Sequence, residues 1–187
     1  MASARRILGL AALTYGLVAA AAVSGQTDAP MPDSPEARYF DFWPGTWVEV
    51  VDGAPDTAAT TFTVTRGVHR SAFEERWKLV YDGAAHRSTA LRAWDRVNER
   101  WMFTWVSDNG LFQVWEGRKV GDDWYIVREF EIDGERFLSR QAWIPRGRNE
   151  LVRVMERSFD GGQSWETRSR TRFRRVSGPA AGAAARR

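Results

Sequence analysis

From Ser71 onward, apolar and polar residues alternate with a period of two in run after run. The runs are separated by turn signals: Asp82-Gly83, Asn109-Gly110, Gly121-Asp122-Asp123, Asp133-Gly134 and Asp160-Gly161-Gly162, with Asp52-Gly53 ahead of them. A period of two places alternate side chains on opposite faces of a strand. Asp-Gly and Asn-Gly supply the positive φ that tight hairpins demand. Phe73, Trp77, Leu79 and Tyr81 share one face of such a run, and Glu74, Arg76 and Lys78 the other. Trp101, Phe103 and Trp105 form a second set, and Trp124, Ile126, Phe130 and Ile132 a third. In the last run Trp165, Thr167, Ser169, Thr171 and Phe173 oppose Glu166 and four arginines, Arg168, Arg170, Arg172 and Arg174.

This spacing predicts an all-β domain of about ten strands, mostly hairpin-connected. So long a meander leaves two open edges unless it curls into a closed or nearly closed antiparallel up-and-down barrel. A two-sheet sandwich is the alternative, but the longer crossovers it needs are scarce. Ten tryptophans and 13% aromatic residues suit either an aromatic-lined cavity or a filled aromatic core.

The body of the chain runs from Ala37 to Val176 and forms one domain. Ahead of it, Arg5-Arg6 precede an almost entirely apolar, alanine-rich stretch from Ile7 to Val23, followed by small residues. That is the form of a secretory signal peptide over 1–25, which leads to a periplasmic or secreted protein with no transmembrane span after cleavage. Residues 26–36, with three prolines, read as a flexible lead-in, and 177–187 as a disordered tail. Ala37 to Phe42 reads as one helical turn closing an end.

Charge and cysteine content exclude several functions. The formal net charge is +3, but two arginines lie in the signal segment and two in the tail, so the body carries −1. That is no footprint for nucleic acid. There is no cysteine, hence no disulfide, thiolate nucleophile or cysteine-ligated zinc. The two histidines, His69 and His86, make no metal-ligand set. No cofactor is expected, and the oligomeric state is open.

The opening Phe42-Trp43-Pro44-Gly45-Thr46-Trp47 resembles the Gly-x-Trp start of the calycin group, the lipocalin, fatty-acid-binding-protein and nitrobindin-like barrels. Further elements are Glu75-Arg76-Trp77, Trp94-Asp95, Arg100-Trp101 with Thr104-Trp105-Val106, and Ser158-x-Asp160-Gly161-Gly162-x-Ser164-Trp165. The whole pattern is similar to a group of bacterial secreted proteins of that shape. The resemblance implies that Trp47 packs across the barrel's closed end and that Gly45 permits the tight entry. It disfavours haem binding through a histidine here, other axial ligands being open. Haem-binding members of the nitrobindin type use a histidine on a late strand, and none follows His86.

Glu75 is the sharpest candidate. It shares a face with Phe73, Trp77 and Leu79, so an inward face carries a carboxylate inside. Such a group is costly to bury unpaired. Arg128 lies between Ile126 and Phe130 on a comparable face, and Gln113 lies on that of Leu111 and Trp115. Glu75 and Arg128 are therefore expected to meet in the cavity near Gln113 and to orient a polar ligand head. A purely structural ion pair is the competing reading. Trp77, Trp105 and Trp124 are the expected aromatic contacts, and Arg92 is a further cavity candidate. Arg140 and Glu156 depend on which face of their strands is interior.

Three functions fit this pattern: a carrier of a small, largely apolar molecule; an isomerase or hydratase with Glu75 as general acid or base; or a filled structural module. The Asp160 segment matches the Asp-box of sialidases, but one copy builds no propeller, so it is read as a hairpin turn. The arginine stripe of the last run is read as a solvated outer face paired to glutamates.

Overall fold

A computed structural model describes residues 33–177. The expected signal segment, most of the lead-in and all of the tail but Ser177 lie outside the described residues. Strands β1 (Gly45–Val51), β3 (Thr61–Arg66), β4 (Ala72–Tyr81), β5 (Ala84–Asp95) and β6 (Arg100–Ser107) follow one another around the sheet. They continue as β7 (Phe112–Val120), β8 (Asp123–Ile132), β9 (Glu135–Pro145), β10 (Glu150–Ser158) and β11 (Glu166–Ser177). A two-residue β2 (Ala54–Pro55) adds a ladder to β1. Every neighbouring pair is antiparallel, and β11 returns to pair with β1, Trp47 opposite Arg175 and Glu49 opposite Phe173. The molecule is thus the closed ten-strand antiparallel barrel that the hairpin spacing predicts, not a sandwich. Closure satisfies both edges that an open meander would expose.

Helix α1 (Pro35–Arg38) and the 3-10 turn η1 (Tyr39–Phe42) close one end. Ser34 caps α1 by accepting from the Ala37 N–H (3.1 Å), with proline at the first helical position. The helix therefore begins within the stretch read as a lead-in. Phe40 and Trp43 enter the barrel end, both 1% exposed or less. Polar clamps hold the closure in place. The Trp101 indole donates to the Glu36 carbonyl (2.9 Å), the Tyr39 hydroxyl to Asp123 (2.8 Å), and Lys119 pairs with Glu36 (3.1 Å). Burial pushes the Tyr39 phenol well above its ordinary range, and the Asp123 carboxylate adds to the effect.

Trp47 lies across this end as the resemblance implies, stacked with Phe62 at 6.2 Å and covered by the Arg175 guanidinium at 4.3 Å. Arg175 also donates to the carbonyls of Phe42 (2.6 Å) and Pro44, tying the last strand to the entry of the first. Gly45 has φ +133°, and a Cβ there would stand 2.9 Å from the Ser177 carbonyl. Glycine is required at this crossing by conformation and by space. Gly117 on β7 serves closeness alone: its Cβ would meet the Trp101 carbonyl oxygen at 2.4 Å.

The β10–β11 hairpin is the turn that its sequence suggests. The Asp160 carboxylate accepts from the Ser164 N–H (2.9 Å), the Ser164 hydroxyl (2.6 Å) and the Ser158 hydroxyl (2.7 Å). The Trp165 indole donates to the Gly162 carbonyl (3.1 Å). These donors, the Ser164 hydroxyl foremost, hold Asp160 far below the usual carboxylate range. Outside the barrel, Arg172 pairs with Glu150 at 3.1 Å, in line with a solvated outer stripe.

Candidate functional site

Alternation on β4 and β5 carries two charged side chains inward at the same level. Glu75 and Arg92 form an ion pair, Arg92 Nε to Glu75 Oε1 at 2.8 Å, and both side chains have no accessible surface. The Trp43 indole donates to the same oxygen (2.8 Å) and the Trp77 indole to the other (3.0 Å). The expected partner was Arg128; the structure supplies Arg92 instead. Both arginines sit on inward-facing positions, but β5 is hydrogen-bonded to β4 whereas β8 lies several strands away. Arg128 leans over the Phe130 ring at 5.3 Å.

The two terminal nitrogens of Arg92 make no hydrogen bond among the described residues. The guanidinium is boxed by ring faces instead: Phe40 and Trp143 at 4.5 Å, Phe103 at 4.8 Å and Trp43 at 5.1 Å. Each face offers negative quadrupole to a desolvated cation. Burial still pulls Arg92 below its ordinary value, with Glu75 opposing. Both Glu75 oxygens are engaged and the side chain reaches no solvent.

Above this floor is a cavity of about 180 Å³. Trp77, Phe103, Trp105, Trp115 and Trp143 form its apolar walls. Trp77, Phe103 and Trp143 therefore contact both the buried pair and the open space. The rim is made by the β4–β5 and β6–β7 hairpins, where Tyr81 stacks on His86 at 4.4 Å and Asp108 lies 3.5 Å from His86 Nδ1. Of the residues proposed from sequence, Trp77, Trp105 and Gln113 line the cavity, while Glu75 and Arg92 lie beneath it. Trp124 packs edge-on against Trp94 (5.5 Å), off the cavity wall. Arg140 and Glu156 pair at 2.6 Å, and the cation also lies 3.9 Å over the ring of Trp165, whose hairpin lies outside the cavity.

Among the wall residues that escape the sequence reading, two are polar partners of each other. Arg153 projects inward from β10, and Gln141 faces it from β9. The Gln141 side-chain oxygen accepts from both Arg153 Nε (3.2 Å) and Nη2 (2.8 Å). Desolvation lowers Arg153 to about 10, with Glu49 acting against it, so it remains a cation at neutral pH. The available signal was the face of β10 carrying Leu151, Arg153 and Met155, which is as apolar as the opposite face of Val152 and Val154.

On the outer wall of β5–β7, Leu91, Val106, Phe112 and Val114 are exposed. Among the described residues no group of three or more acidic, histidine or cysteine side chains is placed to hold a metal, and no helix is long and apolar enough to cross a membrane. The fold and its interior define a closed β-barrel with an aromatic cavity, consistent with a calycin-like architecture. No protein-family model matches the chain, and no curated protein matches it in sequence.

Proposed function

We propose that this barrel binds a small, largely apolar molecule non-covalently in its interior, as an exported carrier or sensor rather than as a catalyst. The cavity above the Glu75–Arg92 floor carries this reading. An engineered cavity of roughly 150 Å³ holds benzene, and drug-sized sites begin near 300 Å³. A space of about 180 Å³ walled by indoles therefore suits a molecule of one ring with a short substituent. Binding would rest on preformed apolar enclosure, with Gln113, Gln141 and Arg153 at the wall to orient a polar group.

Export is supported by the basic, apolar and small-residue succession over residues 1–25. N-terminal sequencing of the mature protein from fractionated host cells tests it; a start at Met1 in the cytoplasmic fraction would refute it.

The binding reading is tested by titrating toluene and indole into the protein and following them by heat and by ligand-observed NMR. Saturable binding of at least one is expected. Ser88 lies on the cavity wall, so Ser88→Phe fills the space and should abolish the signal while leaving a cooperative melt. Binding undiminished in that variant would place the ligand elsewhere. Native mass spectrometry of protein purified from its own host would then identify the natural occupant.

A further inference from the structure

We propose that the interior ligand is a small aromatic carboxylate, its ring held between the cavity tryptophans and its carboxylate on the guanidinium of Arg153. The inference rests on the binding reading above and narrows it to a chemical class.

Four observations converge. First, among the described residues none of the side chains lining the cavity carries a carboxylate, while Arg153 brings a positive charge to the wall. Second, Arg153 takes part in no ion pair among the described residues, in contrast to Arg92, which is matched by Glu75 inside the same barrel. Glu49 on β1 acts on Arg153 only through space. Its own carboxylate accepts from the Thr60 N–H at 3.1 Å. Asp108 at the rim is engaged by His86 and by the Arg87 N–H (2.7 Å). Third, Gln141 grips Nε and Nη2 through one oxygen, which fixes the guanidinium plane. Nη1 makes no hydrogen bond to the described residues and is left to donate. A planar, oriented fork with unspent donors recognises a carboxylate better than a point anion. Fourth, Trp143 is in contact distance of both features: it forms part of the cavity wall and lies 5.9 Å from the Arg153 guanidinium carbon. A ring stacked in the cavity thus has its substituent directed at the cation. A cation at an apolar wall, with Glu49 acting on it only through space, is a costly arrangement that an entering anion relieves.

Benzoate, its neutral isostere benzamide, and toluene are the probes, each titrated into the full chain at neutral pH. Benzoate is expected to bind at least tenfold more tightly than benzamide. That ratio should fall to near one in Arg153→Gln, recover in part in Arg153→Lys, and persist in Arg128→Gln, whose side chain is off the cavity wall. Toluene binding with no preference for benzoate would overturn the carboxylate assignment and leave the apolar-carrier reading standing. A benzoate preference that survives Arg153→Gln, or that depends on Arg128, would overturn the assignment to Arg153. Failure of all three probes to bind would refute the cavity reading and this inference together.

Discussion

At the residue scale, the buried Glu75–Arg92 pair is held by more than its own attraction. Two indole N–H groups complete the carboxylate, and four ring faces surround the cation. Removing one partner strands the other charge in an apolar interior. Arg92→Met is therefore expected to destabilise the barrel by about 3–5 kcal/mol in urea unfolding, and Glu75→Gln/Arg92→Met to recover part of that loss. Strictly additive single-variant losses would show that the two are not coupled. Asp160 gives a pH signature of a different kind. Its folded value lies below its ordinary 3.8, so the contribution is complete above that value and is lost as pH falls through the depressed one. Amide exchange at Gly162 and Ser164 should accelerate over that acid range, and Asp160→Asn should flatten the dependence. The residue-level expectation that failed was the identity of Glu75's partner. Alternation shows that Glu75, Arg92 and Arg128 all point inward, but a period of two carries no information on which strands lie side by side around a circle.

At the scale of elements, β7 and β6 pack so closely that Gly117 rests against the Trp101 backbone. Gly117→Ala forces a methyl group onto a carbonyl that the closed end holds in place. A loss of about 1–3 kcal/mol is expected in thermal or urea unfolding, where a surface glycine of a hairpin tip would give far less. Strands with one aromatic face are legible in the sequence: β4 and β6 show their interiors through Phe73, Trp77, Trp101 and Phe103. β10 was not legible. Val152 and Val154 face outward, yet Val154 is only 1% exposed, so both faces read as core. The inward Arg153, the one arginine lining the cavity among the described residues, was hidden by that symmetry. Closure by η1 was readable from Phe40-Asp41-Phe42-Trp43, because aromatic residues at a chain entry need a buried surface to meet.

At the scale of the molecule, the barrel stands or falls with the β1–β11 seam. A chain ending at Gln163 lacks β11 and leaves β1 and β10 with unpaired edges. Such a truncation is expected to lose its cooperative melt, bind hydrophobic dyes and scatter light at concentrations where the full chain stays clear. A monomeric, cooperatively melting truncation would show that the remaining nine long strands suffice.

That seam joins the first and last strands of the barrel. A ribosome adds roughly 5–20 residues per second, so the free side of β1 waits on the order of 10 s for its partner to be made. During that interval the tryptophan face lacks its closing strand and the half-built wall is adhesive. The cell must shelter the nascent protein until its final strand emerges.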